Sequence, residues 1–441
     1  MLVALKRTGF WLHWLLFASY FFYGWLNPLF LILICYSTVI TYLVGLKLGS
    51  VNNKKLWLSL CIVNGVFLLG FFKYAGFVTE NLNFIFNTLG LSVSIPEPGF
   101  ILPVGISFYT FISIGYVIDV YTGKIPSERN FIRLAAFISF FPYLLAGPIE
   151  RAKNILPQLS TPLKINRCAI TEGASLFVVG LFKKLALADF LSLYVNQVYG
   201  DPTEYHGLTL LVATYAFTWQ IYFDFSGYTD MARGCARILG FKLMLNFNNP
   251  YLSAGLGEFW QRWHISLSSW FRDYVYIPLG GNRRGRFNTY RNMVLTMLIA
   301  GLWHGAAWNF VIWGGLHALG RCVTRELEKT RFYCERVPRI VKQLLVFHFV
   351  CLTWIFFRAE TIGDAITVLT GIFSFVPEDP RFPVCAILLI LGVWLYQFMY
   401  ESNFRKILEL SFIRVVFVLS MILYLIFFRT SGYEVFYYFR F

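Results

Sequence analysis

Long apolar segments alternate with short polar ones along the whole chain. Many approach the roughly 20 residues that a helix needs to cross the hydrocarbon core of a membrane. We predict spanning helices at 10–26, 29–46, 56–72, 100–120, 170–190, 207–223, 293–319, 341–357, 384–400 and 411–428. Weaker apolar runs lie near 75–90, 131–147 and 364–376. The pattern predicts an all-α polytopic membrane protein with about 10–13 transmembrane and re-entrant helices.

The composition agrees with this pattern. Hydrophobic residues make up 57% of the 441 residues and charged residues 14%, whereas soluble domains contain about 25% charged residues. We expect one integral membrane domain over 1–441, with a catalytic core at about 100–320. No small-residue cleavage site follows the first apolar run, so we expect that run to be retained as a span.

The formal net charge of +15 does not by itself indicate a nucleic-acid-binding protein. Lys and Arg lie mostly in short segments between apolar runs, a pattern typical of cytoplasmic loops, so we expect a lipid bilayer and no nucleic acid as partner. The basic segment 282–291 contains four arginines and should be cytoplasmic. The segment 321–339 is also basic, yet one straight span over 293–319 would put it on the opposite side. Either that stretch doubles back or the charge rule fails there.

Several kinds of chemistry are disfavoured by what the sequence lacks. The eight cysteines form no CxxC pair, so neither a disulfide framework nor a metal site is indicated. The chain contains no GxxxxGK[ST], HExxH or GxSxG motif. An ATP-driven pump, a zinc protease and a serine hydrolase of the usual type are therefore disfavoured.

An amphipathic pattern occupies about 258–274. On a continuous helix, Phe259, Trp263 and Trp270 would share an apolar stripe, and the opposite polar face would carry further side chains, among them His264, Ser268 and Arg272 at i, i+4 and i+8. This pattern has two compatible interpretations. The helix either lies on the cytoplasmic leaflet or also walls a wet funnel.

His304 lies deep in an apolar run that begins after Arg291. At a rise of 1.5 Å per residue it would lie about 20 Å into the membrane, where an ionisable group is a functional hypothesis. A neutral imidazole can take a proton from a hydroxyl or thiol that attacks an ester or thioester carbonyl. The alternative is a histidine that only packs, which is our interpretation of His317.

A second polar cluster, residues 222–230, includes Asp224, Ser226 and Asp230 at the end of an apolar span. Carboxylates in that position need partners, and Arg233 and Arg237 follow Asp230 at helical spacing. A structural ion-pair network and the lining of a cavity both remain open. For Lys183 and Lys184 we favour a position at the membrane edge over a role in binding.

Three runs in this chain resemble the signature of bacterial alginate O-acetyltransferase-like members of the membrane-bound O-acyltransferase family. They are FWQRWHISLS at 259–268, RDYVYIPLGG at 272–281 and GLWHG at 301–305. Further matching runs lie at 102–109, 140–148, 222–230, 246–251 and 436–441. The resemblance extends over nearly the whole chain.

The resemblance implies a helical fold around a central tunnel or funnel, with His304 as the family's invariant histidine and His264 as the second. It implies transfer of an acyl group, usually acetyl, from acetyl-CoA or a related thioester across the bacterial inner membrane. A separate extracytoplasmic acetyltransferase would complete delivery to the glycan. His304 would act as general base or acyl relay, assisted by His264, with no bound cofactor or metal. The predicted substrate-binding residues are Asn246, Arg262, Ser268, Arg272, Trp303, Asp224 and Ser226.

Two other functions remain open. One is D-alanyl transfer from a carrier-protein thioester toward teichoic acid, although the run IPLGG at 277–281 favours the acetyl branch. The other is a non-enzymatic exporter of a polymer or lipid-linked sugar. The acylated polymer is not specified by the sequence.

Overall fold

The computed structural model describes residues 8, 10–50, 52–161, 165–374 and 383–428. Lys6, Arg7 and the terminal run 436–441 lie outside these residues. Over the described ranges the regular elements are all helices, without a strand. The predicted all-α class is confirmed.

The chain folds as two compact units. The first consists of Met1–Ala174 with Ala232–Met244, and the second of Ser175–Met231 with Leu245–Phe441. Two helices contribute residues to both units: α9, Arg167–Phe182, and α11, Gly207–Ile238.

The first unit contains eight further helices among the residues described. They are α1 Trp11–Leu26, α2 Pro28–Leu48, α3 Lys54–Leu69, α4 Ala75–Thr88, α5 Ile106–Tyr121, α6 Phe131–Ser139, α7 Phe141–Leu144 and α8 Ala152–Ser160. Twelve of the sixteen residues of α5 are buried, as expected for a helix that is apolar on all sides. Gly65 allows close packing, since a Cβ there would lie 3.0 Å from Ile114 of α5.

The second unit holds the remaining helices of the described chain. They are α10 Asp189–Gly200, α12 Leu256–Arg262, α13 Ile265–Phe271, α14 Gly285–His304, α15 Trp308–Leu327, α16 Arg339–Arg358, α17 Ile362–Gly371, α18 Val384–Tyr400, α19 Arg405–Leu408 and α20 Ser411–Phe427. Short π-helical turns follow α9 and α13, at Lys183–Ala188 and Arg272–Tyr276. Such turns are rare and frequent at functional sites.

Several of the predicted spans coincide with apolar helices. In the described part of the chain, three stretches are both long and apolar enough to cross a membrane, namely Pro28–Leu48, Lys54–Thr88 and Arg339–Arg358. Shorter apolar helices cover Ile106–Tyr121, Ile362–Gly371, Val384–Tyr400 and Ser411–Phe427. Lys54–Thr88 combines the predicted span at 56–72 with the weaker run at 75–90, because a π-helical turn at Gly70–Tyr74 connects the two helices without a break.

The predicted single span over 293–319 is wrong, and the doubling-back alternative is confirmed. The chain breaks at Gly305–Ala307, and α14 and α15 return alongside each other as an antiparallel hairpin. An ion pair between Arg286 and Glu326 joins the two ends that lie away from the break. The two basic segments therefore lie at the same end of the hairpin, which removes the conflict with the charge rule.

Small residues make this hairpin possible. A Cβ at Gly301 would lie 2.2 Å from the carbonyl oxygen of Phe310, and one at Gly314 would lie 2.4 Å from that of Met297. Both distances are shorter than any real carbon contact with a carbonyl oxygen, so the backbones of α14 and α15 touch at these glycines. The hairpin depends on residues without a side chain at these points.

We expect Gly314→Ala to destabilise the protein by about 1 to 3 kcal/mol, because the added methyl group must push α14 and α15 apart. Gly315→Ala is the matched control, since its Cβ would meet nothing closer than Leu298 at 3.8 Å. Thermal unfolding of the detergent-solubilised variants measures the difference. Equal midpoints for the two variants would contradict the packing described here.

Candidate active site

His304 is the last residue of α14, at the turn of the hairpin, and is only 4% exposed. Three aromatic rings surround its imidazole edge to face, with centroids 5.0 Å away for Trp303, 5.1 Å for Trp313 and 5.2 Å for Phe357. Such contacts fix the orientation of the imidazole ring. His304 is thus held in a rigid aromatic box.

His304 also forms part of the wall of a cavity of about 400 Å³. The wall is built by α12, by α13 with the π-helical turn after it, and by α14 and α15. Its polar and charged members are Gln261, Ser268, Ser269, Arg272, Tyr276, Thr296, His304, Arg321 and Arg325. The volume is within the usual range for small-molecule sites, and the wall combines apolar surface with a few polar groups.

The charged groups of this cavity are separated from His304. Arg321 and Arg325 lie toward the end of α15, and because the hairpin is antiparallel they lie at the end opposite to its turn. The lining residues of α14 run from Met293 to His304, eleven steps along the helix that span about 16 Å at 1.5 Å each. The cavity is therefore elongated, with arginines at one end and an imidazole at the other.

The predicted continuous helix over 258–274 is wrong. α12 ends at Arg262, and α13 begins at Ile265 after His264 adopts the left-handed conformation with φ +41°. The backbone of the irregular segment 246–248 forms hydrogen bonds on both sides of this break. Asn248 N donates to the Arg262 carbonyl, and Ile265 N donates to the Asn246 carbonyl, each at 2.9 Å. These tertiary hydrogen bonds replace the helical bonds that a continuous helix would make.

The break turns His264 inward instead of onto a polar face, and the residue is fully buried. Its ring contacts Phe225 at 4.6 Å and Trp303 at 6.2 Å between centroids. Its Nδ1 lies 3.2 Å from Oδ1 of Asn246, which is also buried. His264 lies outside the apolar helices, and burial lowers its pKa to about 3. His264 is therefore neutral at physiological pH.

Trp303 connects the two predicted histidines, since its ring contacts both imidazoles. The structure brings Ser268, Arg272 and His304 to the cavity, although Arg272 also pairs with its neighbour Asp273 at 2.8 Å. His264 and Asn246 lie behind this wall instead of on it. The roles assigned to all these residues stay predictions.

Other predicted binding residues lie away from the cavity. Arg262 forms ion pairs with Glu258 at 2.9 Å and with Glu401 at 2.5 Å. Ser226 is buried on α11 and does not line the cavity. His317, interpreted as structural, is buried in aromatic packing, with Nε2 2.9 Å from the Thr353 hydroxyl.

Asp224 belongs to a buried ion-pair network. Lys184 Nζ lies 2.7 Å from Asp224 and 2.8 Å from Asp189, and Lys183 lies 2.7 Å from Asp230. The lysines lie on the π-helical turn after α9, and their side chains are 24% and 12% exposed. Their expected position at the membrane edge stays a prediction. Arg237, a predicted neighbour of this cluster, pairs with Glu172 instead, at 2.8 Å. Of the two interpretations left open for Asp224, the contacts favour the structural network.

The sequence analysis did not predict Arg321 and Arg325 as cavity residues, because their charge was attributed only to membrane topology. Their spacing could have indicated a shared location, since residues four apart lie on one face of a helix such as α15. The sequence analysis also missed Ser266, whose hydroxyl lies 2.8 Å from Asn246 Oδ1.

The described chain thus combines apolar helices with a cavity whose wall includes a buried histidine and two arginines. Residues 124–361 match the model of MBOAT, the membrane-bound O-acyltransferase family. The chain belongs to this family and is an O-acyltransferase, which confirms the resemblance found in its motifs.

Individual proteins that are similar in sequence to this chain support the family assignment. The probable alginate O-acetylase AlgI of Azotobacter vinelandii is 43% identical over 371 residues, covering 82% of this chain and 72% of that one. The peptidoglycan O-acetyltransferase of Helicobacter pylori is 38% identical over 392 residues, covering 81% and 73%. The teichoic acid D-alanyltransferase of Bacillus subtilis is 29% identical over 281 residues, covering 60% and 71%.

We expect Lys184→Met to destabilise the protein by about 3 to 5 kcal/mol, because it leaves buried carboxylates without their counterion. Asp224→Asn should also destabilise, and the double variant should lose less than the sum of both changes. Arg405→Met is the control, since its pair with Glu409 is exposed and should contribute little. The unfolding midpoint and the rate of acyl transfer are measured for each variant. If Asp224→Asn kept normal stability and lost activity, the Asp224 carboxylate would bind substrate and the structural interpretation would be contradicted.

Proposed function

We propose that this chain moves an acetyl group from a cytoplasmic thioester donor toward O-acetylation of a cell-surface polysaccharide or of peptidoglycan. The main observation in support of this proposal is that His304 lines the elongated cavity. Relatives at 38–43% identity are named for O-acetylation of alginate and of peptidoglycan. Both polymers offer sugar hydroxyl groups as acyl acceptors.

Acetyl-CoA or a related thioester is the proposed donor. Such a molecule combines a phosphate-bearing end with a thin arm that ends in the thioester. Arg321 and Arg325 provide guanidinium groups, which match phosphate geometry. The apolar wall formed by Met293, Met297 and Ala300 suits the arm. With the phosphates at the arginine end, the thioester would approach His304.

The proposed chemistry is a single displacement. A hydroxyl oxygen attacks the thioester carbonyl carbon, a C–O bond forms, and the C–S bond breaks. The hydroxyl proton passes to the neutral imidazole of His304 and from it to the departing sulfur, so the enzyme ends unchanged.

The proposed location is the bacterial inner membrane, crossed several times, with helices around a central tunnel and the α14–α15 hairpin as a re-entrant element. The shared basic end of the hairpin would face the cytoplasm, and the turn with His304 would lie at depth. We further propose a separate extracytoplasmic acetyltransferase as the partner that modifies the glycan.

The alternatives have less support. A teichoic acid D-alanyltransferase relative matches at 29% identity over 60% of this chain, a lower identity and coverage than the acetyl-transferring relatives have. A non-enzymatic exporter would not require an imidazole at the end of an arginine-containing cavity.

We expect His304→Ala to lower acetyl transfer by at least about 100-fold, the contribution typical of a general base, while the fold is retained. His348→Ala is the control, because His348 is an exposed histidine on α16 away from the cavity wall. The measurement is incorporation of labelled acetyl from acetyl-CoA into glycan in membrane vesicles. Full activity of His304→Ala would exclude the proposed enzymatic role.

For the donor site, we expect Arg325→Gln to raise the KM for acetyl-CoA about 10-fold, the effect of losing one charge-assisted hydrogen bond. Arg331→Gln removes an equal charge from a side chain that is 92% exposed and should leave this KM within a factor of about two. Initial rates over a range of acetyl-CoA concentrations give both values. An equal KM in the two variants would place the donor elsewhere.

A further inference from the structure

The arginine end of the cavity contains one ion pair and one unpaired cation. Arg321 Nη1 donates to Glu328 Oε2 at 3.0 Å and lies 3.4 Å from the Thr324 hydroxyl. Within the part of the chain that the structure describes, Nε and Nη2 of Arg321 have no hydrogen-bond acceptor, and Arg325 has no carboxylate partner. Both arginines line the cavity. The described contacts therefore use one side of Arg321 and leave donors of both arginines for a ligand.

Gly257 lets the guanidinium group of Arg321 lie flat against α12. A Cβ at this glycine would lie 3.0 Å from Cζ, 3.0 Å from Nη2 and 3.2 Å from Nε of Arg321. Three nearly equal distances place that position over the face of the planar group and not at its edge. Non-bonded carbon contacts are normally about 3.5 to 4.0 Å, so a methyl group here would tilt or displace the guanidinium. The missing side chain of Gly257 thus determines the plane in which the guanidinium lies.

Glu328 fixes the rotation of the guanidinium within that plane, because its carboxylate accepts from Nη1. The carboxylate is itself held against the start of α12, where a Cβ at Gly255 would lie 2.8 Å from Glu328 Oε1. Glu328 directly follows α15, whereas Gly255 and Gly257 flank the first residue of α12. Two glycines two residues apart therefore accommodate the two members of one ion pair.

A purely structural ion pair is the alternative explanation for these contacts. The side chains of Arg321 and Glu328 are 20% and 40% exposed, and partly exposed pairs contribute little to stability. Arg272, in the same cavity wall, shows a different arrangement, since its Nε is bound to Asp273 at 2.8 Å. The edge of the guanidinium that binds two oxygens at once is thus occupied in Arg272 and unoccupied in Arg321. This difference favours a role for Arg321 in binding.

We propose that Glu328 and Gly257 are positioning residues that hold Arg321 with its Nε–Nη2 edge directed to a phosphate group of the thioester donor, beside Arg325. This inference rests on the proposed function. Nε and Nη2 are parallel N–H donors that can bind two phosphate oxygens together. Arg325 lies one helical turn further along α15 and supplies its charge from the same face. The start of α12 would then determine the geometry with which the donor is bound.

The first test uses the sign of a change in KM. Removal of the Glu328 charge would by itself strengthen the binding of a phosphate and lower the KM for acetyl-CoA. Glu328→Ala also removes the acceptor that positions Arg321, so this KM should rise by about 5- to 10-fold. Glu328→Gln removes the same charge but keeps an oxygen acceptor for Nη1, and it should lower the KM by about twofold. Glu335→Ala is the control, because Glu335 pairs with a 92% exposed arginine and should change the KM by less than about twofold.

The second test uses a donor without phosphate. Gly257→Ala should raise the KM for acetyl-CoA by at least about threefold and keep the fold, because alanine is a better helix former than glycine. Gly392→Ala on α18 is the matched control, since its Cβ would meet no atom of the described chain within 4 Å. S-acetylpantetheine carries the thioester but no phosphate, and its KM should be the same in Gly257→Ala, in Glu328→Ala and in the unmodified protein. A lipid phosphate bound at the arginines would instead affect both donors alike.

Initial rates of acetyl transfer by the full chain in lipid nanodiscs give each KM. An unchanged or lower KM for acetyl-CoA in Glu328→Ala would overturn the positioning role, and so would equal increases for acetyl-CoA and S-acetylpantetheine. If Arg325→Gln raises the KM for acetyl-CoA and Glu328→Ala does not, the proposed donor site stands and only the positioning inference fails. If neither variant changes this KM, the donor binds elsewhere and both are wrong.

Discussion

The contact between the backbones of α14 and α15 is the constraint on which the site depends. At Gly301 and Gly314 the two helices approach so closely that no side chain fits between them. This contact holds the hairpin closed and places His304 at its turn, where Trp313 and Phe357 can reach the ring. Because the helices are antiparallel, it also brings both basic segments to one end.

The hairpin produces a cavity with two different ends. One end carries guanidinium groups from α15, and the other carries an imidazole enclosed by aromatic rings. This difference suits the proposed thioester donor, since charge would attract and orient its anionic portion while the apolar end would keep water from the acyl group. In the proposed reaction, the length of α14 between Met293 and His304 separates the binding of the anionic portion from the chemistry.

The sequence predicted those features that depend on local pattern. The apolar runs at 384–400 and 411–428 became Val384–Tyr400 and Ser411–Phe427, because length and hydropathy are local properties. The hairpin could only be left open as one alternative, since the contact at Gly314 involves residues far apart in the chain. The break at His264 was not predictable from periodicity, because it results from hydrogen bonds with segment 246–248. Arg325 was missed because a charge near a membrane has more than one explanation.

The two histidines lie in different surroundings, and only His304 borders the cavity. His304 is enclosed by aromatic rings and borders the cavity. His264 is bound by an amide, and in the described chain no carboxylate lies within hydrogen-bond distance of its ring. Asp224 is paired with Lys184, and Phe225 lies against the imidazole. Had a carboxylate replaced the amide, it would favour imidazolium and remove the lone pair. The amide therefore orients the ring without adding a charge beside it.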